Sequence, residues 1–316
     1  MQTIVVVLTI CFSLSVFAER VDGTPFEKYK IKNKSDNITY YLSESKTADA
    51  PLLLMIQGSG CNRVLSKKDN QVYSSIFNLS QIANSGSFSV LAVEKPNSGL
   101  VNSKGLGVEH SCSREFHDSF TVGSWVESLN LAIKDSLLKL KRKPKRILIF
   151  GFSEGAGIAS KVAVTNNLIT HVIISGGSGT SQMFDFVAFA YQNCFDRSKC
   201  IDDSYLTLEK ILQDPDSSIK FAWGHPYKRW SSFFRLDPAE NLLKSKAKVY
   251  LVFGTSDRST PALSQEIIAA KLKSAGKDIT IRRLPNANHG LRSSVHDLDN
   301  EYKLAFKWFW EDINLK

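Results

Sequence analysis

The sequence predicts an α/β fold: a mainly parallel central sheet flanked by helices, with a helical cap inserted late in the chain. Three observations carry this. Residues 51–57, 88–94, 146–150, 169–175 and 247–253 form short, nearly continuous apolar runs, as expected of strands buried on both faces. Segments of helical periodicity separate most of them, and strand–helix alternation implies a parallel sheet with helices on both sides. Residues 178–245 break that alternation and hold no apolar run of the strand type.

The elements follow in chain order. Residues 1–18, MQTIVVVLTICFSLSVFA, contain no Asp, Glu, Lys or Arg and end in Val16-Phe17-Ala18 before Glu19-Arg20. The run is too short to span a bilayer, and its small-x-small end reads as a signal peptide cut after Ala18. An uncleaved anchor is the alternative. Residues 26–32 and 37–44 read as two strands around the turn Lys34-Ser35-Asp36. The run 51–57 ends at Gly58-Ser59-Gly60, and residues 72–83 are helical in pattern. Ser124 and Glu127 have capping-box spacing, followed by Val126, Leu129, Ile133, Leu137 and Leu140 along one helix face. Further helices are expected over about 154–164, 262–274 and 299–312, and a last strand over 278–284. The domain therefore runs from 19 to 316, with a cap insertion at about 178–245. Twelve aromatic residues fall in that insertion, among them Phe186, Trp223, Trp230 and Phe234, and suggest an apolar lid over the sheet's C-terminal edge.

The formal charge is +9. Its densest cluster, Lys139, Lys141, Arg142, Lys143, Lys145 and Arg146, surrounds the end of a helix before Pro144, where cations suit the helix dipole. No zinc-finger, RNP or repeat pattern accompanies it, so no nucleic-acid partner is expected. A basic surface could also hold anionic polymers. Outside the leader four cysteines remain, an even number that fits disulfides in an exported chain. Cys194 and Cys200 enclose a short loop and form the simplest pair, which leaves Cys61 with Cys112. Three pairings are formally open. Asn33, Asn37 and Asn78 begin N-x-S/T acceptor triplets, usable only in eukaryotic secretion.

The chemistry centres on Gly151-Phe-Ser153-Glu-Gly155, which follows a strand and opens a helix. That context turns a weak G-x-S-x-G pattern into a nucleophile elbow. A serine hydroxyl needs a base, and the base needs an orienting acid. Asp257 follows the strand AKVYLVF, and His289 follows DITIRRL, so acid and base come in the order Ser, Asp, His on the ligand side of the sheet. Asp237, inside the insertion, competes for the role of acid. His110, His117, His171, His225 and His296 lack such a placement. The Ser59 and Glu154 amides are the expected oxyanion donors, with Gly60 as substitute. A Cys61–Cys112 bridge would brace that loop. Glu154 could also pair with a substrate ammonium.

The pieces LLLMIQGSG, GFSEGAG, VFGTSDRSTP and LPNANHG together resemble the α/β-hydrolase superfamily, and most closely its dienelactone-hydrolase and prolyl-oligopeptidase-like branch. The resemblance covers about residues 36–312 and implies the α/β-hydrolase fold with a variable cap. Gln57 and Ser59 depart from the branch's usual His-Gly-Gly. The expectation is a secreted or periplasmic serine hydrolase with the triad Ser153, His289 and Asp257 and no metal or cofactor. A carboxylesterase on hydrophobic or aryl esters leads, a peptidase on short peptides follows, and a binding protein of the same fold without catalysis is the rival from another class. The partner is thus a small ester or short peptide. The oligomeric state stays open.

Overall fold

The computed structural model describes residues 18–33, 36–69, 71–99 and 111–314. The proposed leader up to residue 17, the turn residues Lys34 and Ser35, and His110 lie outside them.

Three strands open the described chain: β1 (Glu19–Arg20), β2 (Glu27–Asn33) and β3 (Asp36–Ser43). Strand β4 (Leu52–Ile56), a hairpin of β5 (Leu65–Lys68) and β6 (Gln71–Ser74), helix α1 (Leu79–Asn84) and β7 (Ser89–Val93) follow. Helices α2 (Arg114–Ser119) and α3 (Val122–Lys139) lead to β8 (Ile147–Phe152), α4 (Glu154–Thr165) and β9 (His171–Ser175). The segment after β9 carries α5 (Gln182–Asn193), α6 (Arg197–Gln213), the two-residue strands β10 (Phe221–Ala222) and β11 (His225–Pro226), α7 (Tyr227–Phe234) and α8 (Pro238–Lys244). The chain closes with β12 (Lys248–Gly254), α9 (Ala262–Ser274), β13 (Ile279–Leu284) and α10 (Leu298–Asn314).

Nine strands form one sheet in the order β1-β2-β3-β7-β4-β8-β9-β12-β13. Pairings from β7 to β13 are parallel, while β2, β3 and β7 join antiparallel. Every residue of β4, β7 and β9 is buried. Side chains of a strand alternate between faces, and the core divides accordingly. Leu52, Leu54 and Ile56 pack with α3, α4 and α9 on one side, whereas Leu53 and Met55 pack with α1 and α10 on the other. Each fully buried side chain of this size contributes roughly 1.5–3 kcal/mol, so the continuous apolar runs are what a two-sided core demands.

Two local expectations are corrected. Residues 72–83 are not one helix. Asp69 adopts φ 49°, a left-handed conformation that Asp tolerates, and turns β5 back against β6; the helix begins only at Leu79. Val72 and Tyr73, both strand formers, belong to the hairpin. The capping box also lies three residues earlier than Ser124–Glu127. Thr121 is the N-cap: its hydroxyl accepts from the Ser124 amide, and Ser124 Oγ accepts from the Thr121 amide. Ser124 is thus the inner partner of the box, and Glu127 instead accepts from Asn33 Nδ2 at 3.3 Å.

The segment between β9 and β12 is helical but for the β10–β11 hairpin. Its rings pack on one another: Phe186 stacks on Trp223 at 4.3 Å, and Trp230 on Phe234 at 5.4 Å. The described disulfides are Cys61–Cys112 and Cys194–Cys200. No helix among the described residues is long and apolar enough to cross a membrane.

Candidate active site

Six loops leave the C-terminal ends of the parallel strands at one edge of the sheet, where open α/β sheets bind ligands. The loop after β4 carries Gly58-Ser59-Gly60, and that after β7 begins with Glu94-Lys95. Ser153 follows β8, Asp257 follows β12, and His289 follows β13.

Ser153 sits in the turn from β8 into α4 with φ 55° and ψ −124°. A non-glycine residue held there stores on the order of 1–3 kcal/mol of strain and persists only where its surroundings enforce it. The enforcement is visible. The Ser153 amide donates to Ser175 O at 2.8 Å. A Cβ on Gly151 would lie 2.4 Å from Gly155 O, and a Cβ on Gly155 would lie 2.4 Å from Gln57 O. Glycine at both flanks therefore lets α4 start against β8 and β4. The first-turn amides and positive end of α4 face the same turn.

His289 Nδ1 lies 2.8 Å from Asp257 Oδ2. The other oxygen of Asp257 accepts from the amides of Ser259 (2.7 Å) and Thr260 (2.9 Å), which fixes the carboxylate with one oxygen facing the imidazole. The Phe152 ring packs 5.0 Å from the His289 ring. Gly176 forms the floor: a Cβ there would sit 3.5 Å from His289 Cε1 and 3.7 Å from Asp257 Oδ2. Among the described residues no hydrogen bond joins the Ser153 hydroxyl to His289; such contacts often tighten only when substrate binds.

The expected oxyanion loop lies beside the serine. A Cβ on Gly58 would be 3.2 Å from Ser153 Cβ. No described residue accepts a hydrogen bond from the Ser59 or Glu154 amide. Gln57 braces the loop, donating from Nε2 to Asn62 O at 3.1 Å and accepting from Ser75 Oγ at 3.0 Å. Cys61, bridged to Cys112, accepts at its carbonyl from the Gly99 amide at 2.8 Å.

Asp237 has other work. It caps α8 through the Glu240 amide and accepts from Thr180 Oγ1. His171 bonds Asp312, and His296 pairs with Glu301. Glu154 is no free anchor for a substrate ammonium: it is 7% exposed, and Lys95 and Arg229 occupy its two oxygens. Burial works to raise its pKa, but the ammonium and the guanidinium overcome this and hold Glu154 at about 2. Burial pushes Lys95 and Arg229 down, and Glu154 works against that push. His225, beside the cluster, is lowered to about 3, by burial first and then by Arg229.

Sequence reasoning missed Lys95, Arg229 and Asp185. The only signal for Lys95 was a charged pair at the end of the apolar run 88–94. Asp185 accepts from Ser178 Oγ. Burial above all raises its pKa, to about 6, and the nearby Asp257 adds to the rise, against hydrogen bonds from Ser178 and Ser264.

Residues 217–316 match the profile of the prolyl oligopeptidase family. No curated protein matches the sequence. Among solved structures, the acylaminoacyl peptidase of Pyrococcus horikoshii aligns with a TM-score of 0.63 at 14% identity, over 90% of this chain and 41% of the peptidase. A thermostable carboxyl esterase from Bacillus coagulans aligns with 0.59 at 14% identity, over 91% and 98% of the two chains. A putative dienelactone hydrolase from Klebsiella pneumoniae aligns with 0.54 at 16%, over 89% and 96%. This chain thus spans about two fifths of the peptidase but nearly the full length of the other two. With this sheet order, this strand–turn–helix at Ser153 and these neighbours, the chain has the α/β-hydrolase fold, and its last third carries the prolyl oligopeptidase family profile.

Proposed function

We propose that the protein is a serine hydrolase that transfers an acyl group to water through Ser153, His289 and Asp257, and that its substrates are small hydrophobic or aryl carboxylic esters. The observation that carries the reading is the His289–Asp257 contact of 2.8 Å at the strand edge that also bears the strained Ser153 turn. With Nδ1 donating to Asp257, His289 Nε2 is the free base. It takes the Ser153 proton as Oγ attacks the acyl carbon. It then protonates the departing alkoxide, leaving an acyl-enzyme. Water gives its proton to His289 and attacks the acyl carbon, and Ser153 recovers its hydrogen as the acid leaves. The oxyanion of each tetrahedral intermediate is received by the Ser59 and Glu154 amides, with Gly60 as the alternative donor.

Two features favour esters. A cavity of ≈ 110 Å³ lined by Ile56, Gln57, Gly58, Phe77, Phe152 and Tyr302 adjoins the elbow and suits a short apolar group. Glu154, the acid beside the serine that could have paired with a substrate ammonium, is already neutralised by Lys95 and Arg229. The prolyl oligopeptidase match over residues 217–316 favours the second reading, cleavage of short peptides. The two disulfides support export to an oxidising compartment, the periplasm or the cell exterior.

The test is turnover of p-nitrophenyl esters of graded acyl length against p-nitroanilides of short peptides, with Ser153→Ala as the control. Ester turnover that is lost in the variant is expected. Anilide turnover without ester turnover would replace the first reading by the second. No turnover of either would favour a binding protein.

A further inference from the structure

Three ionised side chains meet beneath the Ser153 turn. The Lys95 ammonium is fully buried and has three acceptors: Glu154 Oε1 at 3.0 Å, Gly58 O at 2.7 Å and Gly60 O at 2.8 Å. An ammonium has three donors, so all are used. It also faces the rings of Trp125 at 4.3 Å and Phe120 at 4.9 Å. The second oxygen of Glu154 receives Arg229, which comes from α7 and packs over Trp230 and Phe233. Two cations thus face one carboxylate in a site without water access. Burying uncompensated charge is costly, and an apolar side chain of similar length commonly costs less. Stability alone does not account for Lys95.

Its two carbonyl contacts do. In a trans peptide the C=O and the next N–H point in opposite directions. Lys95 draws the carbonyls of Gly58 and Gly60 inward, so the amides of Ser59 and Cys61 face away from it. The Ser59 amide is the oxyanion donor in the proposed reaction. The excess positive charge stands behind that donor and favours an oxyanion.

We infer that Lys95 is a positioning residue of the hydrolytic site: it locks the 58–60 loop so that the Ser59 amide faces the reacting carbonyl, and Glu154 from the elbow and Arg229 from the cap hold it in place. This rests on Ser153 being the nucleophile. It also ties the cap to the oxyanion loop through one carboxylate.

The experiment compares wild type with Lys95→Met in the full chain, measuring kcat and KM on p-nitrophenyl butyrate together with thermal unfolding. The expected result is a kcat about a hundredfold lower, the loss typical of one oxyanion donor, with KM within about twofold and Tm unchanged or raised. Wild-type kcat in the variant would overturn the inference. So would a loss of activity that disappears when rates are referred to folded protein. Should Lys95→Met not fold, Lys95→Gln decides: its amide can still donate to one carbonyl, so kcat must fall below wild type by less than about a hundredfold, and a wild-type kcat overturns the inference. A wild type inert toward both p-nitrophenyl butyrate and the peptide anilides, by contrast, removes the hydrolase reading itself, and the positioning role falls with it.

Discussion

Two groupings of ionisable side chains flank the same serine, and they differ in how they are built. Asp257 and His289 come from the loops after neighbouring strands, β12 and β13, and touch at 2.8 Å at a sequence separation of 32. Lys95, Glu154 and Arg229 come from the end of β7, the elbow and the cap, with sequence separations of 59 and 75 between bonded partners. In the proposed reaction the first grouping leaves one atom, His289 Nε2, open to receive the Ser153 proton. In the second, every Lys95 donor and both Glu154 oxygens are engaged, and Arg229 Nε alone of its polar atoms is buried without a hydrogen-bond partner. A site that moves protons needs a member left free, and a site that holds a loop needs none.

Substitutions separate the two roles. The largest effect is expected from Asp257→Asn, which leaves the shape intact but removes the charge that holds the His289 tautomer; kcat should fall about ten-thousandfold, with folding intact, as read from kinetics and near-ultraviolet circular dichroism. A small loss would shift the acid role elsewhere. Lys95→Met should lose about a hundredfold, as argued above. Removing the Cys61–Cys112 bridge by paired serine substitution tests the loop from its other side. The bridge closes a loop with a sequence separation of 51, so stability should fall by roughly 2–4 kcal/mol, read by denaturant titration.

The smallest effect concerns pH. Asp185 is raised from 3.8 to about 6, chiefly by burial. The folded chain therefore prefers its protonated form. That contribution to stability is complete below 3.8 and is lost as pH rises through about 6. Asp185→Asn should accordingly be more stable than wild type by roughly 1–3 kcal/mol at about pH 8, and about equal to it near pH 4. Denaturation at the two pH values checks this; the opposite sign would mean that Asp185 is stabilising as an anion.

The same contrast explains what the sequence disclosed. The sheet was legible because β4, β7, β8, β9 and β12 are buried on both faces and so spell continuous apolar runs. Ser153, Asp257 and His289 could be singled out because each lies in the loop after a strand, and of the three the structure joins Asp257 and His289 directly. The β5–β6 hairpin was not, since four-residue exposed strands carry too little periodicity to compete with a helical reading. Lys95 and Arg229 were hidden for a different reason. Long side chains reach their partners across the fold, and a single lysine after a strand or arginine in a helix looks like ordinary surface charge until packing is known. Glu154 was singled out for its place beside the serine, but its partners were not foreseeable.

The central claim is that Ser153 is an activated nucleophile. Covalent labelling with a fluorophosphonate probe, followed by mapping of the modified peptide in wild type and Ser153→Ala, tests it most directly. One adduct on Ser153 is expected, absent from the variant. Folded, disulfide-intact protein that takes up no label, or that is labelled at another residue, would contradict it.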